Sequence, residues 1–196
     1  MLPVSINQWR HLNKVLRLRE EDTVTYTDGL GAMGRGQLGR QEILRGEETT
    51  LPPPKALTIA AAPPDNKDRQ RFLVEKLSEL GVTRLRWLRT AYGSNRPASP
   101  PKVFSWVLAA LEQSRGAWLM EVDADMVEWA DLEGRVVVCD QNGDGPPDAA
   151  DTVVVGPEGG WGPDEVPTRL ETWSLGPNVL RTETAAIVAA ARILAT

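Results

Sequence analysis

The sequence predicts an α/β protein with a mostly parallel sheet, preceded by a small β-rich domain. Three observations predict it. Short apolar runs at 57–61, 83–88, 135–139 and 152–155 alternate with helical segments, the pattern of strands joined through helices. The runs at 135–139 and 152–155 are nearly continuous rather than alternating, as expected for parallel strands covered on both faces. Leu51-Pro52-Pro53-Pro54-Lys55 is stiff and helix-incompatible, and it divides residues 1–52 from residues 53–196.

In the first part, residues 7–16 are helix-compatible, and Thr23-Val24-Thr25-Tyr26-Thr27 is a β-rich run closed by the turn signal Asp28-Gly29. Gly29-Leu30-Gly31-Ala32-Met33-Gly34 matches a dinucleotide-binding pattern, with Glu47 and Glu48 near the spacing of a ribose-binding acid. Such a fingerprint must open a helix, and the following Arg35-Gly36-Gln37-Leu38-Gly39 has no helical period, so the match is rejected. Its glycines suit positive-φ positions of a hairpin.

After the prolines, 57–61 reads as a buried strand. Asp65 or Asn66 can cap a helix in which Leu73, Leu77 and Leu80 recur on one face, and Gly81 stops it. Residues 83–88 form the next strand, and 102–114 an amphipathic helix with Val103, Trp106, Val107, Ala110 and Leu111 on one face. The run 152–155 leads into Gly156-Pro157-Glu158-Gly159-Gly160, followed by an expected helix start at Pro163-Asp164-Glu165 that Pro167 truncates. The strand-like 172–175 then leads through a Gly-Pro turn into a helix at 184–195 that is apolar nearly all round and so expected to be buried.

Two glycine-containing turns thus follow two strands, the place where open α/β sheets bind ligands, and they suggest one pocket. At the second turn, Thr182 or Thr184 can cap the helix and Glu183 suits its dipole. Arg181 does not: a cation beside a helix N-terminus is disfavoured unless an anion lies near it. Glu112-Gln113-Ser114-Arg115 reads by itself as a solvated helix end, and His11 and Cys139 read as structural.

One cysteine and one histidine exclude an internal disulfide and a Cys/His metal cluster. No apolar run approaches the ~18 residues of a membrane span. Met1-Leu2-Pro3-Val4-Ser5 lacks the basic and apolar regions of a signal peptide, so a cytoplasmic protein is expected. The net charge is −5, unevenly spread. Residues 65–115 hold ten Lys/Arg against five Asp/Glu, whereas residues 116–196 hold four against fifteen. A polyanion would therefore meet the earlier parts, although the same asymmetry also suits simple solubility.

Gly156-Pro157-Glu158-Gly159-Gly160 and Leu175-Gly176-Pro177-Asn178-Val179-Leu180-Arg181-Thr182-Glu183-Thr184-Ala185 resemble the paired signatures of the ribosomal RNA small subunit methyltransferase E family, within the SPOUT superfamily of knotted methyltransferases. Glu75-Lys76-Leu77-Ser78-Glu79-Leu80-Gly81-Val82, Glu112-Gln113-Ser114-Arg115, and His11-Leu12 with Val15-Leu16-Arg17 are similar to further family segments in the same order. The chain departs from the pattern in a short N-terminal module, in Thr90-Ala91-Tyr92-Gly93-Ser94-Asn95-Arg96, and in Trp118-Leu119-Met120.

The resemblance implies a PUA-like β-barrel that helps hold RNA, then a SPOUT domain with a C-terminal trefoil knot within about residues 135–196. It implies S-adenosylmethionine as cofactor, no metal, a homodimer, 16S ribosomal RNA or the small subunit as partner, and methylation of uracil N3. The implied cofactor residues are Cys139, Gly156, Pro157, Glu158, Gly159, Gly160, Leu175, Gly176, Val179, Leu180, Thr182 and Ala185. The implied catalytic residues are Arg181 with Arg115, stabilising the anion, and Glu183 or water, taking the proton. Arg10, His11, Arg17, Arg19, Arg89 and Arg96 would hold RNA. Two other readings stand beside this one: a SPOUT methyltransferase acting on another RNA or base position, and an inactive RNA-binding module that assists ribosome assembly.

Overall fold

Residues 2–195, except the side chain of Asn7, are described by the computed structural model, which divides into two units, Met1–Pro53 and Pro54–Thr196. In the first, the helix-compatible stretch forms a short α1 (Ile6–Arg10) that widens into a π-helical turn at His11–Val15. The four strands β1 (Leu2–Pro3), β2 (Thr23–Thr27), β3 (Ala32–Leu38) and β4 (Glu42–Thr50) form an antiparallel sheet in the order β1-β4-β3-β2.

The β2–β3 turn follows its chemistry. Asp28 Oδ1 accepts from the N–H groups of Leu30 and Ala32, while Gly29 and Gly31 take φ of 73° and 105°. Gly34 and Gly36 serve a different purpose from the expected one. Both lie inside β3 without positive φ, and a Cβ on Gly34 would stand 2.4 Å from the ring of Tyr26. Gly34 makes room for that ring and Gly36 for the close approach of the Leu44 carbonyl on β4, rather than for a turn. Tyr26 in turn donates to Glu48 on β4, which also pairs with Arg45.

The second unit is a six-stranded sheet, parallel throughout. β5 (Thr58–Ala61), β6 (Arg84–Trp87), β7 (Glu121–Val122), β8 (Val136–Asp144), β9 (Thr152–Val155) and β10 (Glu171–Trp173) are ordered β10-β8-β9-β5-β6-β7. Helix α2 (Lys67–Leu80) is capped by Asn66, whose side chain accepts from Asp68 N–H, and is stopped by Gly81 at φ 83°. Helix α3 (Pro100–Ser114) buries the five residues predicted from its periodicity.

All three long helices, including α4 (Thr182–Leu194), pack on one face of the sheet with Ile59, Ala61, Leu85, Trp87, Val137, Val153 and Val155. The alternate residues Ala60, Leu88, Val138 and Val154 point to the other face. Loops rather than helices cover them there, through Trp129, Leu132, Trp161, Val166 and Leu170. This explains the continuous apolar runs: both faces are dry, by different means.

Two boundaries differ from expectation. No helix begins at Pro163: residues 163–166 form turns, and Asp164 is left-handed at φ 57°. The carboxylate of Glu165 instead accepts from Gly162 N–H at 2.6 Å and Ala91 N–H at 2.8 Å, and Pro167 has no N–H to continue a ladder. Helix α4 begins two residues before the expected start, because Arg181 adopts an extended N-cap conformation, φ −68° and ψ 155°. Among the described residues, no helix is long and apolar enough to cross a membrane.

Candidate active site

With every strand parallel and Ala61, Trp87, Cys139 and Val155 in register, the loops that leave the strands gather at one edge of the sheet. The segment 156–160 turns at once, with Gly160 N–H donating to Pro157 C=O at 3.0 Å. Its glycines divide by purpose. A Cβ on Gly156 would stand 2.9 Å from the indole of Trp161, and one on Gly159 would stand 3.0 Å from Tyr92 Cβ, so these two admit neighbouring side chains. Gly160, at φ 74°, faces open space.

In the second turn Gly176, at φ 143°, also faces open space. Pro177, Asn178 and Val179 are exposed, while Leu175 and Leu180 pack against the helix-side core. The two turns meet through Thr182. Its hydroxyl donates to the Gly156 carbonyl at 2.8 Å instead of capping α4.

The first turn of α4 holds two opposite charges in opposite environments. Arg181 is exposed and makes no ion pair among the described residues. Glu183 is buried, 6% exposed. Its Oε1 lies 3.9 Å from Arg69 Nε, and its Oε2 is buried without a hydrogen-bond partner. Arg69 Nη1 also reaches Glu158 Oε1 at 3.2 Å. Sequence motifs do not single out Arg69, yet like Arg181 it is a cation at a helix N-terminus, in the first turn of α2, where the dipole disfavours one.

Cys139 ends the register of β8 with β9, half-buried. Burial pushes its thiol up to about 12, so it is neutral at physiological pH and unsuited to nucleophilic chemistry. Ala185 is buried in α4. Beside the glycine loop, a cleft of about 680 Å³ is lined by Asp140, Trp161, Gly162, Asp164 and Arg169 among others. No group of three or more metal-ligating side chains occurs among the described residues.

The structure does not bring Arg115 to this edge within one chain. It caps the far end of α3 at φ 56°, and six residues later Glu121 pairs with Arg84, the first residue of β6. A helix of this length spans about 22 Å, so Arg115 lies toward the opposite edge of the sheet. Arg89 and Arg96 are exposed on the segment after β6, Arg89 donating to Glu128 at 2.8 Å. Arg10, His11, Arg17 and Arg19 are exposed in the first unit.

The family model described as RNA methyltransferase domain matches residues 51–194. Among solved structures, a probable rRNA methyltransferase from Porphyromonas gingivalis is 25% identical over 94% of this chain and 88% of its own, with a TM-score of 0.82. The ribosomal RNA small subunit methyltransferase E of Neisseria gonorrhoeae, bound to S-adenosylmethionine, is 27% identical over 95% of this chain and 87% of its own, with a TM-score of 0.78. No curated protein matches the chain.

Proposed function

The chain belongs to the RNA methyltransferase domain family, and on that premise we propose that it methylates N3 of a uridine in 16S ribosomal RNA, with S-adenosylmethionine as the methyl donor. The observation that carries the reading is the Thr182–Gly156 hydrogen bond, which sets the two glycine turns side by side at the carboxyl edge of the sheet. The residues fit the cofactor: Gly160 and Gly176, one in each turn, have nothing within 4 Å of where a Cβ would stand, which leaves room for a group to lie against the backbone. When bound, the cofactor supplies a methyl group on a sulfonium, which needs alignment rather than a metal.

The chain's own residues then divide the work. Cys139, Leu175, Val179, Leu180 and Ala185 give apolar contact, while Gly156 to Gly160, Gly176 and Thr182 shape the cradle. Arg181, exposed and unpaired, stabilises the negative charge that grows on the uracil carbonyl oxygens. Two residues on, Glu183 Oε2 has no hydrogen-bond partner among the described residues, and that oxygen or a water takes the N3 proton.

In this reading the protein is a cytoplasmic homodimer, and Arg115 serves the site of the other subunit, since its own lies about a helix length away. The antiparallel sheet of the first unit acts as a PUA-like barrel that holds RNA through Arg10, His11, Arg17 and Arg19; in the second unit, Arg89 and Arg96 are the exposed arginines assigned to RNA. The trefoil knot would lie within the C-terminal part, from about residue 135 onward.

Single-turnover methylation of 16S ribosomal RNA, with mapping of the modified atom, tests the reading. Arg181→Ala is expected to slow transfer by about 100-fold, the scale of removing one preorganised charge donor, while calorimetry shows cofactor affinity retained. A wild-type protein that binds RNA but not S-adenosylmethionine would instead indicate the non-catalytic module. Methyl transfer to another atom or another RNA would redirect the substrate. Glu183→Gln tests the proton acceptor: a rate loss well beyond that of Arg69→Met, which breaks the same ion pair but keeps the carboxylate, assigns Glu183, and a retained rate assigns water.

A further inference from the structure

We propose that Arg69 is a positioning residue of this site, clamping the glycine loop to the first turn of α4 through one guanidinium. It rests on the methyl-transfer reading only for its catalytic consequence; the clamp itself is argued from geometry.

Arg69 stands in the first turn of α2, where the positive end of the helix dipole disfavours a cation. Asn66 caps that helix by accepting from Asp68 N–H, and Arg69, with donors alone, has no capping role there. Two carboxylates distant in sequence converge on it: Glu158 from the glycine loop at 3.2 Å and Glu183 from α4 at 3.9 Å. Among the described residues, no other side chain forms an ion pair with both segments.

The two contacts differ in weight. Arg69 and Glu158 are both more than a third exposed, so solvent screens that pair and it contributes little by itself. Glu183 is 8% exposed at its side chain, and its charge has no other ionic partner among the described residues. Removing Arg69 would leave that carboxylate buried and uncompensated at the junction of the two turns.

Chemistry also distinguishes arginine here. A planar fork can address Glu158 through Nη1 and Glu183 through Nε together, whereas a lysine offers one point charge. Arg69 thereby engages Oε1 of Glu183 and leaves Oε2 free. The Thr182–Gly156 bond does not involve Arg69 and survives its loss, so the fold should persist while the loop loosens.

The test compares wild-type full-length protein with Arg69→Met, Arg69→Lys and Glu158→Gln. In ligand-free protein, exchange of the hydrogen-bonded loop amides of Gly160 and Gly162 should quicken at least tenfold in Arg69→Met, beyond any change in the amides of β5 and β9, and by a smaller but measurable factor in Arg69→Lys and Glu158→Gln, with the thermal midpoint lowered in Arg69→Met. Unchanged exchange in Arg69→Met would overturn the clamp. Methylation under single-turnover conditions should fall at least tenfold in Arg69→Met and recover partly in Arg69→Lys, with the cofactor dissociation constant shifting less than the rate. Wild-type rates in Arg69→Met would overturn the catalytic consequence. If the wild type transfers no methyl group while exchange responds as expected, the clamp stands and the proposed function falls.

Discussion

The two units are stabilised by different means. Among the described hydrophobic residues of the first unit, Val24 and Leu38 are the buried ones, and its sheet is supported by backbone ladders and by Tyr26, Glu48 and Arg45 on the surface. The second unit buries Trp87, Trp173, Leu73, Leu77, Ile59 and many smaller apolar side chains around one sheet. A small sheet cannot remove much apolar area from water, so hydrogen bonds and charge carry more of its stability. A larger core can hold loops in one arrangement, which is what a preorganised site requires. The difference teaches where a constellation such as Arg69, Glu158 and Glu183 can be maintained.

Three experiments test this contrast. The largest effect is expected from Trp87→Ala: the side chain is 1% exposed, and its loss should cost about 3–5 kcal/mol in urea unfolding. A cost well below that range would mean the second unit does not rely on its core as argued.

A smaller effect should appear in acid, in the first unit. Hydrogen bonds from Arg45 first, then Tyr26, hold the Glu48 carboxyl down to about 2. A depressed carboxylate contributes stability above its unfolded value, near 4.3, and that contribution is lost as pH falls toward 2. Glu48→Gln should flatten the acid dependence of the first unit over that window, monitored by NMR of the β2–β4 amides. Persistent acid dependence would shift the cause to other carboxylates.

The smallest effect concerns Cys139. With its thiol near 12, labelling by a thiol reagent at pH 8 should be slow in native protein and rapid after denaturation. Fast native labelling would show that the end of β8 opens readily.

The sequence by itself marked β5, β6, β8, β9, α2, α3 and α4 of the second unit, but not the two-residue β7, together with the division near residue 53 and the two glycine turns as the place to look. These are local signals: Asn66 and Gly81 delimit α2 by their own chemistry, and the apolar period of α3 marks the face it buries. It also rejected the glycine pattern at 29–34 correctly, since β3 follows rather than a helix.

Only the tertiary structure decided how the turns are joined. The bonds of Thr182 to Gly156, Arg69 to Glu158 and Glu165 to Ala91 link residues far apart in sequence, and no local period encodes them. The expected helix at Pro163 failed for that reason, because Glu165 satisfies backbone N–H groups of two loops instead of opening a helical turn. Arg115 likewise lies where the length and direction of α3 carry it, toward the far edge of the sheet. Residue chemistry marked which groups could act; the parallel sheet decided which of them meet, because it delivers every strand end to one edge.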